Sequence, residues 1–423
     1  MKMEKKIEHA IIIVILVLLL TINFGTNFLN TKDEAIGTYY TFETYQNDSE
    51  YLVFSKMFQD KYYDEISEYG LVLAYDEYGN RLSNIWDKIA NYNSEKEELK
   101  IVAYGPQFGL QGHVFSFLYN KLNMPFWSLK LICCILLASI IVVICYCIYK
   151  KYNKLMATIF YITFLLSPWV VAFARNLYWV EFTWFLPTMF GILLSSDYSK
   201  GKVYIPCIFV AILIKCLCGY EYITTIMLMT ISFFVIDLFV AKEKNEKIKI
   251  LKTILIVGIV CLLAFMVALC IHANIRGNGN ILEGLKNIYE KDVLRRTIKI
   301  SNEIEYSGII KESLDASVFE TVKKYYSWHT NIILGVKGQY FKLIFVATFA
   351  ILIYNMLKEN KDYIRDIIMF FVFLATTLSW FILGKAHSYI HVSMNYVLWY
   401  FGFVQICFYI IIKFICEKIR NVE

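Results

Sequence analysis

Residues 253 to 273 contain no Asp, Glu, Lys or Arg, and about 20 such residues suffice to cross the hydrocarbon core of a bilayer as one helix. Nine further apolar runs accompany that one, at 9 to 27, 128 to 149, 155 to 174, 177 to 196, 203 to 219, 222 to 241, 340 to 357, 367 to 384 and 395 to 415. The stretch from Leu155 to Ser196 is too long for one crossing and holds Arg175-Asn176 at its centre. It reads as a hairpin of two helices. The stretch from Val203 to Ala241 divides in the same way at Cys218-Gly219-Tyr220. Hydrophobic residues make up 58% of the chain, against about 45–50% in soluble domains, so the runs are a bilayer signature. The expected fold is an all-α polytopic membrane protein of about ten transmembrane helices with two partly helical extracytoplasmic loops.

Orientation follows from Lys and Arg in the short connections. They recur in Met1 to Glu8, Lys150 to Lys154, Asp197 to Lys202, Lys242 to Lys252, Lys358 to Asp366 and Glu417 to Glu423. The long segment from Phe28 to Trp127 instead carries fifteen acidic and eight basic residues. It is expected outside, with both termini in the cytoplasm and the chain in the plasma (cytoplasmic) membrane. The organisation is then a first transmembrane helix (1–27), a large extracytoplasmic loop (28–127), helices 2 to 7 (128–273), a second extracytoplasmic loop (274–339), and helices 8 to 10 with a cytoplasmic tail (340–423). The basic lead and short apolar centre of the first helix also suit a signal peptide, but no small-x-small cleavage site follows. Either reading sends the next hundred residues outward.

Periodicity in the loops points to folded helices. Phe54, Phe58, Tyr62 and Ile66 recur every four residues, and Leu82, Ile85, Trp86 and Ile89 fit one helical face. Such faces can lie on the membrane surface. The second loop repeats the pattern with Ile281, Leu285, Ile288 and Tyr289. All eleven cysteines lie in or at the ends of apolar runs, which argues against a disulfide framework and a thiolate zinc site.

Five of the six histidines, His113, His272, His329, His387 and His391, fall at the outer side, with Arg175, Glu181, Lys215, Glu221, Arg276 and Lys385 at outer helix ends. Charges at membrane depth face a cavity or a partner. Lys215 and Glu221 read either as an ion pair closing a hairpin tip or as part of an outward chamber. Arg175 reads either as an interfacial snorkelling side chain or, with Lys215, Arg276, Lys385 and His387, as a phosphate holder. The segment Tyr104 to His113 has three glycines, one proline and the amides of Gln107 and Gln111. It suits either a tight turn or a backbone that lies close to a ligand. His387 and His391 sit four residues apart with no evident third ligand, so no metal site is assigned. The acids Asp33 and Glu34 open the first loop, where a carboxylate at the lip of a cavity can serve as a general base; a solvated pair is the bland alternative.

The order of features resembles the GT-C class of membrane glycosyltransferases: one helix, a large outer loop with an acidic pair at its start, a bundle with short inner connections, and a later second outer loop. Asp33-Glu34 followed by Gly37 and Tyr39 is similar to the acidic pair of protein O-mannosyltransferases and related bacterial enzymes. The likeness in layout covers roughly helices 1 to 7. Arg175-Asn176-Leu177-Tyr178-Trp179 and Gln107 to Gly112 look like segments of uncharacterised bacterial membrane proteins of this kind.

The resemblance implies an inverting glycosyltransferase with a polyprenyl-phosphate-linked sugar donor, a glycan, lipid or protein acceptor, membrane lipids around it and no nucleic-acid partner. It casts Asp33 as base and Glu34 as its partner, with Glu43, Asp48, Glu181 and Glu221 as substitutes. Gln107, Gln111, His113, Arg175, Glu181, Lys215, Glu221, Arg276, Lys385, His387 and His391 are the expected substrate-binding residues. No cofactor is fixed, and a divalent cation is left open. Two other functions remain open: a polymerase or ligase acting on an undecaprenyl-diphosphate glycan, and a flippase or transporter for lipid-linked sugars.

Overall fold

Backbone groups in hydrocarbon have no water to bond, so apolar runs satisfy them internally as helices. The computed structural model describes residues 2–29, 41–82, 85, 89, 99–294, 308–326, 331–333, 336–337, 340–358 and 363–420. The first helix, α1 (Lys2–Thr26), leads into the first loop, which holds α2 (Asn47–Tyr62), an antiparallel hairpin of β1 (Val72–Tyr75) and β2 (Lys100–Ala103), and α3 (Leu110–Asn120). The bundle follows as α4 (Phe126–Lys151), α5 (Lys154–Leu166), α6 (Pro168–Ala174), α7 (Phe182–Ser196), α8 (Gly201–Cys218), α9 (Ile223–Val240) and α10 (Lys244–Arg276). The second loop contributes α11 (Ile281–Ile288), α12 (Gly308–Asp315), α13 (Val318–Tyr326) and a short β3–β4 pairing (Asn331–Ile333 with Val336–Lys337). The chain ends with α14 (Phe341–Leu357), α15 (Tyr363–Leu383), the short α16 (Lys385–Ile390) and α17 (Val392–Asn395), and α18 (Phe403–Arg420).

Among the described residues six helices are long and apolar enough to cross a membrane, or eight if each of two bent pairs is one span. The protein is thus an all-α polytopic membrane protein with six to eight candidate spans. The two other expected spans fall on α7 and α14, which have 15 and 17 residues. At 1.5 Å per residue these are roughly 22 and 26 Å long, short of a ~30 Å core.

Local chemistry explains the bends. The expected run 155 to 174 is broken at Ser167-Pro168 by 64°. Proline at the first helical position cannot continue the preceding helix, and the Ser167 hydroxyl caps the new one by accepting the Val170 N–H at 3.2 Å. The run 395 to 415 is likewise bent by 49° between the Val392–Tyr400 segment and α18. The run 177 to 196 starts later than its hydropathy indicates, because Leu177 to Glu181 form a turn before α7.

Helix α7 packs against α4, α8 and α9, α9 packs on α15, and α8 on α10. At the face away from the long loops, Lys151 pairs with Asp237 at 2.7 Å and donates to the Ser195 carbonyl at 3.0 Å. There too Lys413 pairs with Asp366 at 2.7 Å. All eleven cysteines are free thiols.

The first loop differs from expectation in one respect. Phe54 and Phe58 of α2 are buried within the protein rather than laid on a membrane surface. Ile66 lies beyond that helix and is exposed. Ile85 and Ile89 are buried, while Trp86 lies outside the described residues.

Candidate functional site

The turn from Arg175 to Glu181, between α6 and α7, gathers the loop face of the bundle around itself. Asn176 makes the turn by accepting the Tyr178 and Trp179 N–H groups at 3.0 and 3.1 Å on its side-chain oxygen, as Asn does in turns. Its amide donates to the Gln46 carbonyl at 3.3 Å. Arg175 donates to the Phe42 carbonyl at 2.9 Å, pairs with Glu43 at 3.0 Å and lies 3.9 Å over the Phe42 ring. The Leu177 N–H donates to Glu50 at 2.9 Å, and the other oxygen of Glu50 pairs with Lys130 at 2.8 Å.

The two unusual segments of the sequence meet here. Gln107 donates to the Tyr178 hydroxyl at 2.8 Å, and Gln111 donates to the Tyr178 carbonyl at 3.0 Å. Their amides hold the turn rather than stand open to a ligand. Trp179 donates to the Gln46 side-chain oxygen at 3.2 Å and stacks on Tyr222 at 6.0 Å. Three non-glycine residues around this turn have left-handed backbone: Gln46 (φ 59°), Val180 (φ 40°) and Tyr222 (φ 64°). Such conformations cost on the order of 1–3 kcal/mol each and persist where surrounding packing imposes them.

Glu181, at the end of the turn, is fully buried, and neither carboxylate oxygen has a hydrogen-bond partner among the described residues. The Thr183 and Thr188 hydroxyls and the Trp184 indole N–H nearby in sequence also find no hydrogen-bond partner among the described residues. A carboxylate so placed is costly to ionise. The hairpin tip beside the turn is closed by Lys215, which donates to the Gly219 carbonyl at 2.6 Å. A Cβ on Gly219 would come within 2.5 Å of both Gln107 Oε1 and Glu221 Oε2. Glu221 acts electrostatically on Lys215 across the same tip.

A second centre lies where α10 ends. His272 donates from Nε2 to the Gly105 carbonyl at 2.9 Å and accepts the Tyr220 hydroxyl at Nδ1 at 3.3 Å. One turn on, Arg276 lies against Gly105 so closely that a Cβ there would overlap the guanidinium. This is where a glycine of the Tyr104–His113 segment is needed: it admits a protein side chain, while Gly112 admits the backbone of Gly70. Arg276 also faces Asp292 at 3.7 Å.

Two cavities flank the Arg276–Asp292 pair. A polar one of about 440 Å³ is lined by Ser67, Glu68, Tyr69, Arg276, Asn287 and Lys291 among others. An apolar one of about 490 Å³ is lined by Tyr220, Phe265, Leu269, Leu285, Trp380 and Asp292 among others. Burial raises the Tyr69 hydroxyl above its ordinary value, while the Arg276 charge opposes the rise. Tyr69, Tyr220, Asp292 and Trp380 were not singled out by sequence. None of the four lies on α11, whose amphipathic pattern is the sequence signal for the apolar cavity that Leu285 and Ile288 line.

The remaining expected residues are dispersed. His113 donates from Nε2 to the Glu68 carbonyl at 3.1 Å and so buttresses the polar cavity's wall. Lys385 caps the end of α12 by donating to the Leu314 carbonyl at 2.8 Å and to that of Ala316. His387 accepts from Asn395 at 3.3 Å, lies 6.3 Å from the Trp380 ring and 4.7 Å from the His391 ring. Arg175, Lys215 and Lys385 line neither cavity. Asp33, Glu34 and His329 lie outside the described residues. Among the described residues no group of three or more His, Cys, Asp or Glu side chains is arranged to hold a metal ion.

Compared with protein-family models, with curated proteins and with solved structures, the chain matches none.

Proposed function

We propose that the protein is an inverting membrane glycosyltransferase of the GT-C type, taking a sugar from a polyprenyl-phosphate carrier on the extracytoplasmic side of the plasma membrane. In this reading α7 and α14 complete ten spans, both termini are cytoplasmic, and the acceptor is a cell-surface glycan, lipid or protein. One observation carries it: an apolar cavity beside spanning helices meets a polar, cationic cavity at the Arg276–Asp292 pair. That arrangement suits an amphipathic substrate with an isoprenoid tail and a phosphate head. Arg276 and Lys291 would hold the leaving phosphate, as guanidinium and ammonium groups do. His272 would fix the Gly105 backbone against Arg276 through its hydrogen bond to the Gly105 carbonyl. Asp33 is assigned as base by the resemblance alone, with Glu34 beside it.

The experiment is transfer by the purified full chain in detergent, with a synthetic short-chain polyprenyl-phosphate hexose as donor and cell-envelope extract as acceptor. Release of polyprenyl phosphate is expected, and Arg276→Ala should slow it by at least about 100-fold. No release with any extract would overturn the reading. Detergent offers no second compartment, so release also argues against a transporter.

Two cations at one cavity also fit a diphosphate, which keeps the polymerase or ligase reading as the second candidate. Asp33→Asn and Glu34→Gln separate the two, because only the monophosphate reading needs a carboxylate base. Activity retained in both variants and lost in Arg276→Ala would favour the diphosphate.

A further inference from the structure

At the face opposite the long loops, α1 parts from the bundle. Leu20 and Phe24 in its second half are fully buried, whereas Ile11, Ile12, Val14 and Ile15 in its first half are about half exposed. The gap this leaves between α1, α4 and α5 is a crevice of about 410 Å³. Its walls include Ile12, Ile13, Leu16, Val142, Cys145 and Ala157. Tyr161 closes it towards the middle of the bundle, donating its hydroxyl to the Leu16 carbonyl at 2.9 Å. From His9 at the mouth to Leu16 at the floor is about 10 Å along the helix axis at 1.5 Å per residue.

The mouth has a different chemistry. His9, Lys154, Tyr146 and Tyr149 line it, and the Lys150 ammonium sits over the rings of Tyr146 and Tyr149 at 5.5 and 5.3 Å. Lys154 occupies the first position of α5, where the helix dipole already presents positive charge. An anion at the mouth therefore meets both the ammonium and the positive end of the helix. An apolar slot about 10 Å deep, open to the side of the bundle and ringed by cations at its mouth, matches one kind of molecule.

We propose that this crevice is a binding site for an anionic phospholipid of the adjacent leaflet, with one acyl chain between α1, α4 and α5 and the phosphate at Lys154 and His9. Hydrocarbon fills the slot because no water is available at that depth, and the cationic mouth selects among lipids by charge. The acyl chain would act as packing for the half of α1 that the protein itself leaves uncovered. This site is separate from the two cavities at the loop face and does not depend on the glycosyltransferase reading.

The test is native mass spectrometry of the full chain after equilibration in nanodiscs of equal phosphatidylglycerol and phosphatidylcholine. Preferential retention of phosphatidylglycerol is expected. Lys154→Glu should reduce that retention by roughly tenfold or more, because it both removes a cation that attracts the anionic headgroup and adds a charge that repels it. Thr158→Trp, at an exposed position on the crevice wall, should displace both lipids. Lys247→Glu, exposed on α10 away from the crevice, should change neither. Lys154 is itself exposed, so its replacement leaves the core intact. Equal retention of the two lipids, retention unchanged in Lys154→Glu, or an equal loss in Lys247→Glu would overturn the site.

Discussion

Glu50 and Lys130 form an ion pair of 2.8 Å between the first loop and the start of α4, and the second oxygen of Glu50 accepts the Leu177 N–H at 2.9 Å. One carboxylate thus joins three segments that are far apart in sequence. Its side chain is almost wholly buried, while Lys130 is one-fifth exposed.

Replacing Glu50 by Ala leaves a buried N–H and a largely shielded ammonium without this acceptor. The expected loss is on the order of 2–4 kcal/mol, below the full range for a buried pair because Lys130 reaches solvent. The double variant Glu50→Met, Lys130→Met should regain part of it. Thermal unfolding of the single and double variants in detergent measures the coupling, and strictly additive losses would show that the pair contributes nothing as a pair.

Gly105→Ala tests the placement of Arg276 without touching its charge. The added methyl would overlap the guanidinium, so Arg276 must leave Asp292 and the polar cavity. Sugar transfer should fall by about 100-fold or more, while the melting temperature changes little, since an extended side chain moves more easily than backbone. Gly112→Ala is the contrasting case. There the methyl meets the Gly70 backbone, and overpacking should destabilise the first loop by about 1–3 kcal/mol.

Glu181→Gln keeps the shape of a side chain whose oxygens have no hydrogen-bond partner among the described residues. An amide avoids the cost of a partnerless buried charge, so the variant should melt at or above the wild-type temperature. If it also transfers sugar normally, Glu181 has no part as a substitute base. A marked fall in melting temperature would mean that the carboxylate has a partner in solution.

His113 should impart a pH dependence to the first loop. Burial holds its imidazole below the ordinary value of 6.5, and the Lys56 charge acts in the same direction. As pH falls below 6.5, the unfolded chain takes up a proton that the folded chain refuses. Stability therefore declines with acidification through that window and levels off below the folded value. Unfolding measured from about pH 7 to about pH 5.5 should show a smaller decline in His113→Gln than in wild type. Parallel curves would remove His113 as the source.

The helices were legible because the signal is local. A charge-free run in hydrocarbon has one stable backbone solution, and Arg175-Asn176 and Gly219 interrupt it where a charge or a missing side chain must turn the chain. Even the bend at Ser167-Pro168, which hydropathy alone passes over, is written in a capping serine before a ring that cannot continue a helix.

Partnership is another matter. Gln107 and Gln111 announce themselves as amides among glycines, but only packing shows that Tyr178 takes both donors. Arg175 and Arg276 are alike as residues at helix ends, yet one is held by Glu43 and the Phe42 ring while the other stands between two cavities. Helices form from neighbours a few positions apart, so their identity travels with the local composition. The apolar cavity arises where α9, α10, α11 and α15 come together and the polar one where the first loop meets α10 and α11, and each meeting is a many-body balance of shape and burial that no short window of residues encodes.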